Sequence, residues 1–229
     1  MKEIIIKSIP LYDGKIVKLN RNLVELPNGK LAFREVVKHQ QGVCIVPVID
    51  DSILFVTQYR SGAGKLLLEL PAGLVDNNES PLDAAIRELK EETKYSSAKI
   101  TYLGAFYSSP GFTDELVHLY IAEELYQDAL EQDEDEFIEL TKYSIKQVNR
   151  LLSTKQITDM KTALGLMMYF NTKNSQSNFS NRKMMSCMRS PNTSASTSKP
   201  RCTQRKYASK SNSARTRAFT YNYTHTHTL

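Results

Sequence analysis

Hydrophobic positions along this chain come first in short runs, then at helical spacing, and finally lose all period. The first forty residues read as strands at 3–7, 15–19, 22–25 and 31–38. Asn28-Gly29 between the last two predicts a two-residue hairpin turn, because both residues tolerate positive φ. Two apolar, β-branched runs follow at 43–49 and 53–58, joined by Asp50-Asp51, and suit buried central strands. Ser80-Pro81-Leu82-Asp83 then opens a helix to about Thr93, with Ser80 as N-cap, Pro81 in the first turn and Asp83 closing a capping box. Leu82, Ala85, Ile86 and Leu89 share the face expected to pack on the sheet, and Glu88, Glu91 and Glu92 lie on the adjoining face. Strands near 100–107 and 116–122 and amphipathic helices near 144–152 and 158–170 complete an α/β or α+β order.

Charge divides the chain in two. Residues 172–229 hold 11 Lys and Arg and no Asp or Glu, whereas residues 1–171 hold 19 Lys and Arg against 25 Asp and Glu. An acidic body is therefore expected to carry a basic tail, which has little to bury and reads as disordered. Such a tail would attract nucleic acid without specificity. Its end, Thr224-His225-Thr226-His227-Thr228, alternates as a dinucleotide repeat in DNA would encode, so a frameshifted or acquired extension stays open. The odd, widely spaced cysteines Cys44, Cys187 and Cys202 point to a reducing compartment. With no apolar run long enough for a signal peptide or a membrane span, the cytoplasm is expected.

Chemistry concentrates at residues 73–95. Glu79 precedes the helix, and Glu88, Glu91 and Glu92 crowd one turn beside Arg87. Like charges at i,i+4 repel by roughly 0.2–0.5 kcal/mol per pair. A solvated helix face is the plain explanation, but three neighbours weaken it. Pro71-Ala72-Gly73 can turn backbone carbonyls toward the helix, Glu79 adds a carboxylate, and Asp133-Glu134-Asp135-Glu136 adds a second acidic cluster. A divalent cation would reverse the repulsion, and magnesium favours such oxygen ligands together with substrate phosphates.

Gly73, Glu79, Arg87, Glu88, Leu89, Glu91, Glu92 and Tyr95 stand at the spacing of the Nudix box, the signature of hydrolases that cleave nucleoside diphosphates linked to another moiety. The chain thus resembles the Nudix family over residues 1–171. One position departs: Lys94 stands where the box has a glycine that ends the helix in a left-handed conformation. Within the family the chain is most similar to the bacterial ADP-ribose pyrophosphatases. The match rests on Gln58-Tyr59-Arg60, on Leu68-Glu69-Leu70-Pro71-Ala72-Gly73, on Pro110 fifteen residues past the box, and on the 133–137 loop.

The resemblance implies a Nudix α/β/α sandwich with a mixed sheet (residues 41–171), an antiparallel N-terminal region (1–40) exchanged between the subunits of a homodimer, and a tail at 172–229. It implies magnesium or manganese, two or three ions per site, held by the Ala72 carbonyl, Glu88, Glu91, Glu92 and Glu136. Glu134 would be the base, with Glu91 and Arg87 also in the catalytic set. Arg34, Glu35, Arg60, Pro110, Gly111 and Phe112 would meet the nucleotide substrate. ADP-ribose would yield AMP and ribose 5-phosphate. The alternatives are another nucleotide sugar, an oxidised nucleoside triphosphate, or a non-catalytic binding module whose basic tail attracts RNA.

Overall fold

The computed structural model describes residues 1–130 and 137–188, with side chains through residue 175. Met1–Cys187 make one compact unit and Met188–Leu229 a second, of which only Met188 is described. In chain order the elements are β1 (Ile4–Asp13), β2 (Val17–Glu25), β3 (Leu31–His39), β4 (Gly42–Ile49), β5 (Ser52–Arg60), β6 (Lys65–Glu69), β7 (Ala72–Leu74), α1 (Pro81–Thr93), β8 (Tyr95–Tyr107), β9 (Leu116–Gln127), β10 (Glu139–Ser144), α2 (Ile145–Ser153) and α3 (Met160–Met188).

The first three strands form an antiparallel sheet of their own. The pattern broke β2 into two pieces, but its register with β3 is continuous from Val17 opposite His39 to Glu25 opposite Leu31. The connecting turn also differs from the expectation. Gly29 N–H donates to the Leu26 carbonyl, and Gly29 alone of the Asn-Gly pair has positive φ, at 78°. Pro27 explains this, because its ring holds φ near that of the second residue of an ordinary turn, and Gly29 then takes the left-handed step.

The second sheet runs β10-β5-β4-β9-β8, with β6 paired to β5 and β7 to β4. It is mixed: β4 and β9 lie parallel, and the other pairs are antiparallel. Alternation along the two central strands builds the layers. Val43, Ile45, Tyr120 and Ala122 face Ala84, Ala85 and Leu89 of α1. Cys44, Val46, Val117, Leu119 and Ile121 pack with Val148 of α2 and with Leu166 and Tyr169 of α3. A strand shows successive side chains to opposite faces, so β4 and β9 serve two cores at once. The result is an α/β/α sandwich.

Helix α1 follows its capping signals. Ser80 is extended, its hydroxyl oxygen accepts from Asp83 N–H at 3.1 Å, and Pro81 occupies the first turn. The buried face is the expected one at Ala85 and Leu89 but is rotated away from Leu82. Leu82 is exposed, and Ala84, Ala85, Glu88, Leu89, Glu92 and Thr93 are buried. Small alanines let the helix settle close to β4, which turns the glutamates inward.

Helix α3 was expected to stop near residue 170 and instead reaches Met188, so residues 172–188 are helical where disorder was expected. No glycine or proline stands between Gly165 and Pro191, and a helix nucleated by packing propagates through residues of ordinary propensity. Lys173 also ties the helix to Glu123 of β9. The remainder of the tail, with its expected disorder and nucleic-acid contact, lies outside the described residues, as do Asp133, Glu134, Asp135 and Glu136. Among the described residues no helix is long and apolar enough to cross a membrane.

Candidate active site

Three of the four glutamates of residues 73–95 are gathered by Arg87, a residue of the same stretch. Its guanidinium makes five hydrogen bonds: to both oxygens of Glu79 (3.1 and 3.0 Å), to Glu88 Oε1 (2.8 Å), to Glu91 Oε2 (2.9 Å) and to the Leu74 carbonyl (2.9 Å). A guanidinium has five N–H donors, so every one is committed to the protein. Its hydrogen bonds with Glu79 lead the interactions that push the Arg87 pKa up, and Arg87 in turn holds the Glu79 carboxyl below the usual carboxylate range. Arg87 therefore acts on neighbouring carboxylates and has no donor left over for a substrate. The repulsion inferred from spacing is thus partly neutralised from within, at the cost of fixing three carboxylates in place.

Glu88 and Glu92 differ from a solvated helix face. They are 8% and 3% exposed, four residues apart on the helix face that meets the sheet. Glu92 Oε2 accepts the Ala72 N–H at 2.9 Å. Glu88 lies against Gly73 so closely that a Cβ there would stand 1.9 Å from its Oε1. The strand β7 holds this backbone by pairing Val43 with Gly73 and Cys44 with Ala72. No run of β propensity announces β7, which exists because β4 offers it a partner.

These groups suit a divalent cation. Two carboxylates and the backbone at Ala72 supply hard oxygens, and magnesium is commonly held by one or two carboxylates plus substrate phosphates and water. Among the described residues no three His, Cys, Asp or Glu side chains converge as a ready-made cage. Glu91, the third carboxylate of the turn, is drawn onto Arg87 instead.

Arg60 stands on a second buried carboxylate that sequence reasoning passed over. Its Nε and Nη2 donate to the two oxygens of Glu69, each at 2.9 Å, and Glu69 is 1% exposed. Lys161, at the start of α3, also donates to Glu69 and pairs with Asp159 at 3.1 Å. Burial pushes the Glu69 carboxyl up, but Arg60 and Lys161 outweigh it and hold the group below the usual range. A lone glutamate in the apolar run Leu66-Leu67-Leu68-Glu69-Leu70 was the available signal. Nothing in the sequence pointed to Lys161, 92 residues away.

Arg34 and Glu35 lie on β3 and Pro110, Gly111 and Phe112 on the loop between β8 and β9. The structure joins these segments at Val37, whose N–H donates to the Phe112 carbonyl (2.7 Å) and whose carbonyl accepts the Asp114 N–H (3.3 Å). Lys38 and Asp114 add an ion pair at 2.7 Å. Arg34 itself is held by Glu3, through 2.6 and 3.1 Å hydrogen bonds on an exposed surface.

Lys94 adopts the left-handed conformation expected of the box glycine, with φ 66° and ψ 19°. Its side chain answers the strain. Nζ donates to the Glu91 carbonyl at 2.9 Å and to the Leu130 carbonyl at 2.8 Å, while Asp128 N–H donates to the Lys94 carbonyl and Lys90 pairs with Asp128. The end of α1 is thereby stitched to residues 128–130. A left-handed residue with a Cβ costs about 1–2 kcal/mol, and two hydrogen bonds return about 0.5–1.5 kcal/mol each. Lys94→Ala keeps the strain and loses the bonds, so it is expected to be the least stable of the three proteins, about 1 kcal/mol below Lys94→Gly in urea titrations. A glycine variant more stable than the parent by the full strain energy would show that the Nζ contacts contribute nothing.

Comparison with known proteins agrees with this geometry. The Nudix domain model matches residues 38–163. The chain is 41% identical over 159 residues to the ADP-ribose pyrophosphatase of Bacillus subtilis (strain 168), covering 68% of this chain and 86% of that protein. It is 38% identical over 164 residues to the methanol dehydrogenase activator of Bacillus methanolicus, covering 70% and 89%. A crystal structure of an ADP compounds hydrolase superposes with a TM-score of 0.71 over 77% of this chain and 96% of that one, at 24% identity, and so shares its fold. With Glu88, Leu89 and Glu92 of the box buried on α1 and the Nudix domain model matched over more than half of the chain, this chain belongs to the Nudix family.

Proposed function

We propose that this protein hydrolyses ADP-ribose and related ADP-sugars, releasing AMP and, from ADP-ribose, ribose 5-phosphate. The observation that carries the reading is the buried pair Glu88 and Glu92 set against Ala72 and Gly73, with Arg60 held by Glu69 three residues before Ala72 in the chain. The two relatives bear different names, so the site carries more weight here than either name. The pyrophosphatase of Bacillus subtilis supports the choice of ADP-ribose.

Glu88, Glu92 and the Ala72 carbonyl would hold magnesium or manganese, with Glu91 beside them and Glu136 reaching a further ion, for two or three in all. Bound there, the metal supplies charge neutralisation for the diphosphate and a lowered pKa for water. Arg87 keeps Glu79 ionised and holds Glu88 and Glu91 in register. Glu134 serves as the base that takes the proton of the attacking water. The water oxygen bonds to one phosphorus, the bridging P–O bond breaks, and the leaving phosphate keeps the electron pair. Arg60 contacts a diphosphate oxygen, and Arg34, Glu35 and the Pro110-Gly111-Phe112 turn receive the nucleotide. Exposed apolar residues of the N-terminal sheet (Ile4, Ile6, Leu11, Leu31 and Phe33 among them) support a homodimer through that sheet. Buried, unpaired Cys44 is in keeping with a cytoplasmic setting.

The test is release of the nucleoside monophosphate from ADP-ribose, other ADP-sugars, GDP-mannose and 8-oxo-dGTP (AMP, GMP or 8-oxo-dGMP), each with magnesium and with chelator. ADP-ribose is expected to turn over fastest, and only with metal. Rapid turnover of 8-oxo-dGTP with ADP-ribose left intact would replace this reading with that of an oxidised-nucleotide hydrolase.

A further inference from the structure

Glu69 makes an arrangement that its strand does not require. The β5–β6 register pairs Val56 with Glu69 and Arg60 with Lys65. Arg60 and Glu69 thus leave the same face of the hairpin, but four residues of strand, roughly 13 Å, separate them along it. Two long side chains must lean toward each other to meet, which costs rotamer entropy. The carboxylate they meet on is almost fully buried, and a buried ion pair seldom stabilises more than apolar residues of the same volume. The arrangement is anchored as well. Lys161 and Thr162, on the first turn of α3, hold Glu69 through its carboxylate and Leu70 through its N–H (2.9 Å), immediately before Pro71-Ala72-Gly73.

The two-point fork has a geometric consequence. Nε and Nη2 are committed to Glu69, and none of the hydrogen bonds found for Arg60 uses Nη1. A planar guanidinium held along one edge can present its other edge in only one direction. The clasped carboxylate stands three residues before Ala72, whose N–H donates to Glu92, so the fork and the acidic pair are tied to one short run of backbone.

We propose that Glu69 is a positioning residue: by clasping one edge of Arg60, itself braced by Lys161, it aims the other edge at the substrate diphosphate. The proposal rests on the reading of Arg60 as a diphosphate contact. It assigns Glu69 no contact with substrate or metal.

The experiment is a mutant cycle of Arg60→Ala, Arg60→Lys, Glu69→Gln and the Arg60→Ala/Glu69→Gln double variant. ADP-ribose hydrolysis is measured with saturating magnesium, and thermal melts verify folding. Glu69→Gln is expected to raise KM about tenfold with kcat changed less than about threefold, and to add nothing further in the Arg60→Ala background. Arg60→Lys keeps the charge but cannot form the fork, so its KM should rise nearly as far as that of Arg60→Ala, a measurement that stands even if Glu69→Gln fails to fold. Parental KM in Arg60→Lys overturns the positioning role, as does multiplicative behaviour of the double variant. Parental KM in Glu69→Gln, with KM raised in Arg60→Ala, overturns Glu69 alone and leaves the diphosphate contact standing. Parental KM in Arg60→Ala overturns both.

Discussion

Replacing Glu92 with glutamine is expected to lower magnesium-dependent kcat/KM by at least about a thousandfold, the loss of several kcal/mol of charge stabilisation in the transition state. The substitution keeps the shape of a side chain that is 3% exposed and leaves an oxygen able to accept the Ala72 N–H. Folding should therefore survive, and the melting temperature without metal should stay close to the parent's. What is lost is one negative charge of a pair that two neutral or singly charged groups cannot replace. Magnesium should accordingly raise the melting temperature of the parent and not of the variant, since a ligand stabilises only the state that binds it. Turnover within about threefold of the parent would remove Glu92 from the metal site.

Gly73→Ala should be nearly as damaging, for a different reason. The added Cβ would stand 1.9 Å from Oε1, 2.0 Å from Cδ and 2.4 Å from Oε2 of Glu88, separations that no packing adjustment of tenths of an ångström relieves. Two outcomes are open to the chain. Glu88 swings away, breaking its 2.8 Å bond with Arg87, or β7 withdraws from β4 at the Val43–Gly73 pair. Either one displaces the carboxylate proposed to bind metal. The expected loss is at least about a hundredfold in kcat/KM, with stability lowered by about 1–3 kcal/mol. Parental activity in Gly73→Ala would show that the position of Glu88 is not required. Gly73 does not have positive φ, so this glycine serves close approach and not a turn.

Much of the fold was legible because its signals are local. Ser80 and Ser144 cap α1 and α2, and the Asp50 turn separates β4 from β5. The apolar runs of β4 and β5 marked buried central strands. The failures were also physical. Strands β6, β7 and β10 are short or mixed in composition, and each pairs with a longer strand already in place. The hairpin after β2 formed as expected, but its turn is longer than two residues because Pro27 outweighed the Asn-Gly signal. The inward face of α1 was partly misjudged because hydrophobicity ranks Leu82 and Ile86 above Ala84 and Glu88, whereas close approach to the sheet favours the alanines and carries the glutamates inward with them.

The candidate site shows the same division. The order Gly73, Glu79, Arg87, Glu88, Glu91, Glu92 is a property of the chain, and helical geometry alone places Glu88 and Glu92 one turn apart on a common face. That order, with its neighbours, was enough to point to the Nudix family. It did not reveal that Arg87 spends all five donors on the protein, because hydrogen bonds are settled by which acceptors come within reach after packing. Nor did it join Glu69 to Arg60 and to Lys161, since the last lies on a helix 92 residues downstream. The sequence by itself determined which chemical groups are available and on which elements they ride. Only the tertiary structure decided which carboxylates are buried, which are neutralised and which cation each one holds, because burial and long-range pairing depend on the approach of elements that local periodicity does not encode.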